Sequence, residues 1–118
     1  MKDKEEQQAR AMYEHYNYRC FVCNNPAIER AHVIGNTKVN RRLYGNRVVD
    51  SPLNWLPACG LDHNAKIDIG RNDIIKEQIA LIIETNDLDE TEKRQAIEAI
   101  VNENIQRKEG KLDRRIYV

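Results

Sequence analysis

Cys20-Phe21-Val22-Cys23 and Cys59-Gly60-Leu61-Asp62-His63 are the two stretches on which the reading of this chain turns. The first is a C-x2-C pair, tight enough for both sulfurs to face one ion. The second is a C-x3-H pair. Together they offer three thiolates and one imidazole, a normal tetrahedral set for structural zinc. They also account for all three cysteines. An odd cysteine count points away from a disulfide framework and towards a metal. Four protein ligands leave no open position, so such a zinc ties two distant stretches together and does no chemistry itself. Two registers are open at the second pair. Either His63 is the fourth ligand, or Asp62 is, and His63 is left for another duty. Structural zinc favours Cys and His over Asp, so the first register is preferred.

The surrounding chain has 118 residues, the length of a single domain (1–118). Only 6% of it is aromatic and 32% is charged, so its core is modest and a metal staple would help the fold. The net charge is zero but unevenly spread. Residues 16–72 carry eight Lys/Arg against four Asp/Glu, while both flanks carry an acidic excess. A basic middle suits a central face that meets phosphates. No apolar run approaches the roughly 20 residues of a membrane span. The N-terminal MKDKEEQQAR is too polar for a signal peptide. A soluble, cytoplasmic protein is the expectation, a phage-encoded one included.

Three regions follow one another. Residues 3–16 read as a polar helix with Ala11, Met12 and Tyr16 as its apolar positions. Residues 17–70 are rich in Asn, Gly and Pro and hold every cysteine. Residues 73–110 read as a helical hairpin. Its first helix is apolar at Ile75, Ile79, Ile82 and Ile83, with Asn72 as N-cap. Asp87 and Glu90 have capping-box spacing before a second helix with Ile97, Ile100, Val101 and Ile105, and Gly110 suits its end. The two stripes should pack within the chain. A homodimer or a protein partner using these helices is left open.

Residues 18–70 resemble an HNH, or ββα-metal, endonuclease. The residues that carry the resemblance are Cys20-x2-Cys23, then Glu29-Arg30-Ala31-His32-Val33-Ile34, then Pro52-Leu53-Asn54-Trp55-Leu56-Pro57-Ala58-Cys59, then His63-Asn64. The resemblance implies an α+β fold, with a small ββα core and zinc knuckle flanked by the N-terminal helix and the C-terminal hairpin. It implies a metal-dependent DNA endonuclease in which His32 is the general base and Asn54 holds the loop that orients it. One divalent ion, Mg2+ or Mn2+, would be bound at the helix start by Asn64, or by His63 in the register that gives Asp62 to the zinc. The chain departs from the family pattern at Ala31, where an Asp or His metal ligand is common. Glu29 shares the strand face of Ala31 and is the candidate replacement. Water completing the shell of a magnesium ion is the alternative.

These residue types suit phosphodiester hydrolysis. A neutral histidine accepts a proton from water near pH 7, and a hard cation with oxygen ligands stabilises the leaving oxygen. Between the motifs, residues 36–47 form a basic, polar stretch read as a loop, and Lys38, Arg41, Arg42 and Arg47 are the candidate phosphate contacts to DNA. Trp55 reads as core, and His15 as structural or surface. The competing function is a non-catalytic zinc module that binds nucleic acid or a partner protein. It would keep the four zinc ligands and have no use for His32 and Asn54.

Overall fold

The structure is a computed structural model and describes residues 2–110. The ends of the expected domain, residue 1 and residues 111–118, lie outside the described residues. The chain runs through α1 (Lys2–His15), β1 (Glu29–His32), α2 (Lys38–Tyr44), α3 (Asn46–Val49), a 3-10 turn (Pro52–Asn54), β2 (Trp55–Ala58), α4 (Leu61–Ile67), α5 (Asp73–Glu84) and α6 (Glu90–Lys108). It is a small α+β fold, mostly helical, around one two-stranded antiparallel sheet.

The sheet register is what positions everything else. Glu29 pairs with Ala58, Ala31 with Leu56, and His32 with Trp55. Side chains alternate along a strand, so Glu29, Ala31, Leu56 and Ala58 share one face. On that face α4 packs against both strands, and Ala31, Leu56, Ala58 and Ile67 are fully buried. Arg30, His32, Trp55 and Pro57 lie on the opposite face. There α1 approaches, burying Met12 and placing Glu5 against Arg30. The sheet is thus held between α4 and α1, and β1, β2 and α4 make a ββα-like unit.

The two long helices close the core. Ile79 of α5 and Ile97, Val101 and Ile105 of α6 join one cluster with Val33, Ile34, Val48 and Val49. The helices therefore pack on each other and on the middle of the chain. Asn72 caps α5 by accepting from the Ile75 N–H. The end of α6 is fastened by Lys108, whose ammonium donates to the Ala65 and Lys66 carbonyls at the C-terminus of α4. Gly110 follows α6 with φ +71°, the left-handed conformation of a C′ glycine.

Two local expectations need correction. The capping box of α6 is Asp89 with Glu92, not Asp87 with Glu90. Asp87 lies in the turn and donates its N–H to Thr85 Oγ1, so the helix starts two residues later. The stretch 36–47 is not an open loop. Thr37 caps α2 by accepting from the Asn40 N–H, Asn40 turns inward, and Val48 and Val49 of α3 enter the core. Local caps and three inward residues thus make helices of a segment whose composition reads as loop.

Candidate functional site

Residues 19–26 fold as a tight knuckle. Arg19 and Pro26 form an antiparallel bridge, the Cys20 N–H donates to Asn25 O, and the Asn24 N–H donates to Cys20 O. Asn24 sits at φ +66°, a left-handed conformation that asparagine tolerates and that turns the chain back after Cys23. The Phe21 N–H donates to Pro57 O, which fixes the knuckle to β2. Cys59 follows β2 directly, and His63 lies in the first turn of α4.

These supports bring four ligand atoms within 4.8 Å of one another: the sulfurs of Cys20, Cys23 and Cys59 and a ring nitrogen of His63. The Cys23 and Cys59 sulfurs are 3.6 Å apart, and His63 Nδ1 lies 3.1 Å from Cys59 Sγ and 3.5 Å from Cys20 Sγ. A tetrahedron with Zn–S of about 2.3 Å and Zn–N of about 2.0 Å has edges of about 3.5–3.8 Å. The group is therefore the right size and chemistry for a zinc ion. His63 is its fourth member, while Asp62 is exposed and outside it. Among the described residues it is the one group of three or more Cys, His, Asp or Glu side chains placed to share a metal.

The electrostatics agree. Burial raises the Cys20 pKa, but the Cys23, Val22 and Cys59 backbone N–H groups and His63 outweigh it and bring the thiol to about 6. Cys59 is pushed up to about 11, first by its hydrogen bond with Cys23, then by burial and by Cys20. One thiolate is welcome here and a second is not. A divalent cation among the sulfurs removes that repulsion.

Asn54 is fully buried and uses its whole amide. Its Oδ1 accepts from the Ile34 N–H at 2.8 Å, and its Nδ2 donates to Ile34 O at 3.0 Å and Val49 O at 3.1 Å. Its own carbonyl accepts from the Val33 N–H at 2.8 Å. It clamps the chain immediately after His32. A second network supports the same segment: Lys76 donates to Asn40 Oδ1, and Asn40 Nδ2 donates to Gly35 O.

His32 is half-buried, with its ring edge-on to Trp55 at 6.3 Å. Burial lowers its pKa below 6.5, and Arg30 adds to the effect while Asp50 partly offsets it. It is held neutral near pH 7. On the other face of β1, Asn64 Nδ2 donates to Glu29 Oε1 at 3.0 Å. Glu29 and Asn64 are thus neighbours, whereas no hydrogen bond among the described residues joins His32 to either. Ala31, on the strand face of Glu29, is buried in the core.

The basic candidates divide. Lys38, Arg42 and Arg47 are exposed, with no ion-pair partner among the described residues. Arg41 is partly exposed and already paired. It makes a two-pronged contact to Asp50 at 2.8 and 3.0 Å and donates to Asn36 and Asn46. The sequence reading missed Arg30, whose guanidinium lies 4.3 Å over the buried Trp55 ring and 2.8 Å from Glu5. Only its position two residues before His32, on the same strand face, could have signalled it. No helix among the described residues is long and apolar enough to cross a membrane. Compared with protein-family models, curated proteins and solved structures, the chain finds no match.

Proposed function

We propose that this protein is a zinc-stapled, metal-dependent DNA endonuclease of the HNH type. The observation that carries the reading is the Asn54 clamp on residues 33 and 34, which fixes the backbone next to a neutral, half-buried histidine. In this reading zinc at Cys20, Cys23, Cys59 and His63 ties the 19–26 knuckle to the end of β2 and the start of α4. His32 accepts the proton of the attacking water. Glu29 Oε2 and Asn64 Oδ1, the two oxygens outside their shared hydrogen bond, are the donors for a hard cation. That cation, Mg2+ or Mn2+, supplies stabilisation of the leaving 3′ oxygen. Both sets of groups belong to or touch β1, whose outer edge has no strand partner among the described residues. Lys38, Arg42 and Arg47 are the phosphate contacts. Arg41 serves them indirectly by tying α2 to Asp50. Plasmid nicking with Mg2+ or Mn2+, compared between wild type, His32→Ala and Asn64→Ala, tests the reading.

A second reading has its own support. Ala31 offers no ligand, and His32 and the Glu29–Asn64 pair lie on opposite strand faces. A zinc module that binds nucleic acid without cutting it needs neither. It predicts binding that none of these substitutions converts into a change of cleavage.

A further inference from the structure

The face of the sheet that carries His32 holds a second cation, and it is already in contact with an acid. Arg30 and His32 are two residues apart on β1 and flank the same indole. The Arg30 guanidinium carbon lies 4.3 Å from the centre of the Trp55 ring, a cation–π contact that holds the head group over the indole while its N–H donors still reach an anion. Its side chain keeps 26% of its exposure. The anion it meets is the carboxylate of Glu5, at 2.8 Å. Arginine binds carboxylate and phosphate with the same fork of donors. Glu5 therefore stands where a phosphate oxygen would stand.

The helix that brings Glu5 there is lightly held. In α1, residues 3–7 are all exposed, and Met12 is its one buried residue among those described. Ahead of Met12, the Glu5–Arg30 pair is the one ion pair that fastens the helix to the sheet among the described residues. Asp3 and Glu6 add to the acid of this front half.

We propose that Arg30 is a phosphate-binding residue for nucleic acid beside His32, and that Glu5 is a built-in competitor that occupies it in the free protein. The inference rests on the nucleic-acid reading above and adds to it a residue and a regulation. An exposed ion pair is worth up to about 1 kcal/mol, so displacing it sets back binding by up to about fivefold.

The experiment is a double-mutant cycle read by fluorescence anisotropy on a labelled 20-base-pair duplex, with zinc content and circular dichroism checking each variant. Glu5→Gln should tighten binding two- to fivefold. Glu6→Gln, which removes the same charge one residue away, should change it little. Arg30→Gln should weaken binding, and on that background Glu5→Gln should have no effect. Arg30→Lys keeps the charge but loses the fork, and should fall between. Equal gains from Glu5→Gln and Glu6→Gln, or a full Glu5→Gln gain without Arg30, overturn the competitor. Unchanged binding by a folded Arg30→Gln protein overturns the phosphate contact. If no variant, wild type included, binds the duplex, it is the nucleic-acid reading itself that falls, and this inference with it.

Discussion

Asn54 and Ile34 exchange a pair of hydrogen bonds, the Ile34 N–H donating to Oδ1 at 2.8 Å and Nδ2 donating to Ile34 O at 3.0 Å. A side-chain amide here does the work of a strand partner, and it does so two residues beyond His32. With Nδ2 also on Val49 O, the exit of β1 and the end of α3 share one clamp. Asn54→Ala would leave three buried backbone groups unpaired, each costing about 1–3 kcal/mol. We expect it to lower stability by at least about 3 kcal/mol in urea unfolding, with the slope unchanged. Asn54→Asp should also destabilise, because a carboxylate has no donor for the two carbonyls. A variant within about 0.5 kcal/mol of wild type would show that the clamp is not needed.

Zinc content should divide three neighbouring substitutions. Purified protein should carry one zinc per chain. Cys59→Ser and His63→Ala should lose it and melt on the order of 10 °C lower, since about 1 kcal/mol moves the midpoint by about 4 °C in a domain of this size. Asp62→Ala should keep its zinc. Zinc lost from Asp62→Ala and retained by His63→Ala would reverse the ligand assignment.

That assignment also marks what the sequence disclosed and what it withheld. The two half-sites were legible because few chemistries need three thiols and an imidazole at these spacings. The Asn72 cap and the Ile79, Ile97, Val101 and Ile105 stripes were legible because helix period and cap chemistry are local. The fold of 36–47 was not, because α2 turns Asn40 inward to Gly35 and Lys76 and α3 sends Val48 and Val49 into a core built by distant residues. The engagement of Arg41 by Asp50 was hidden for a related reason: a cation in a basic run looks the same whether paired or free. The register of α6 slipped because two Asp/Glu pairs, 87 with 90 and 89 with 92, have the same spacing. The two strand faces were partly legible. Alternation grouped Glu29 with Ala31, but only the pairing with β2 shows Arg30 and His32 beside Trp55.

The exposed cations of α2 and α3 should reveal themselves in salt dependence. Each phosphate contact contributes about 0.9 to the slope of log affinity against log salt. The Lys38→Ala/Arg42→Ala double variant should flatten that slope by up to about 2. Arg41→Ala should instead act mainly on stability, by releasing Asp50. An unchanged slope in the double variant would move the nucleic-acid face elsewhere.

The pH response should carry the signature of His32. Its pKa in the folded protein lies below 6.5, so just below pH 6.5 the unfolded chain binds more protons than the native one. Stability linked to this residue is therefore fully present above pH 6.5, and it is lost as pH falls from there towards the lower folded value. NMR titration of zinc-loaded protein should show His32 below 6.5, and His32→Gln should remove this part of the pH dependence. A His32 that titrates above 6.5 would mean its charged form is favoured, contrary to its burial beside Arg30.

Whether this protein cuts DNA is decided by nicking of supercoiled plasmid, with wild type, His32→Ala and Asn64→Ala purified side by side and matched for zinc. In Mg2+ or Mn2+ the wild type should nick, and His32→Ala should be slower by about 10² to 10⁴, the usual loss of a general base. Asn64→Ala should fall on the order of a hundredfold while keeping its zinc and its melting temperature. A wild type that binds DNA but leaves it intact, or variants that nick as fast as wild type, would contradict the nuclease and leave a zinc module in its place.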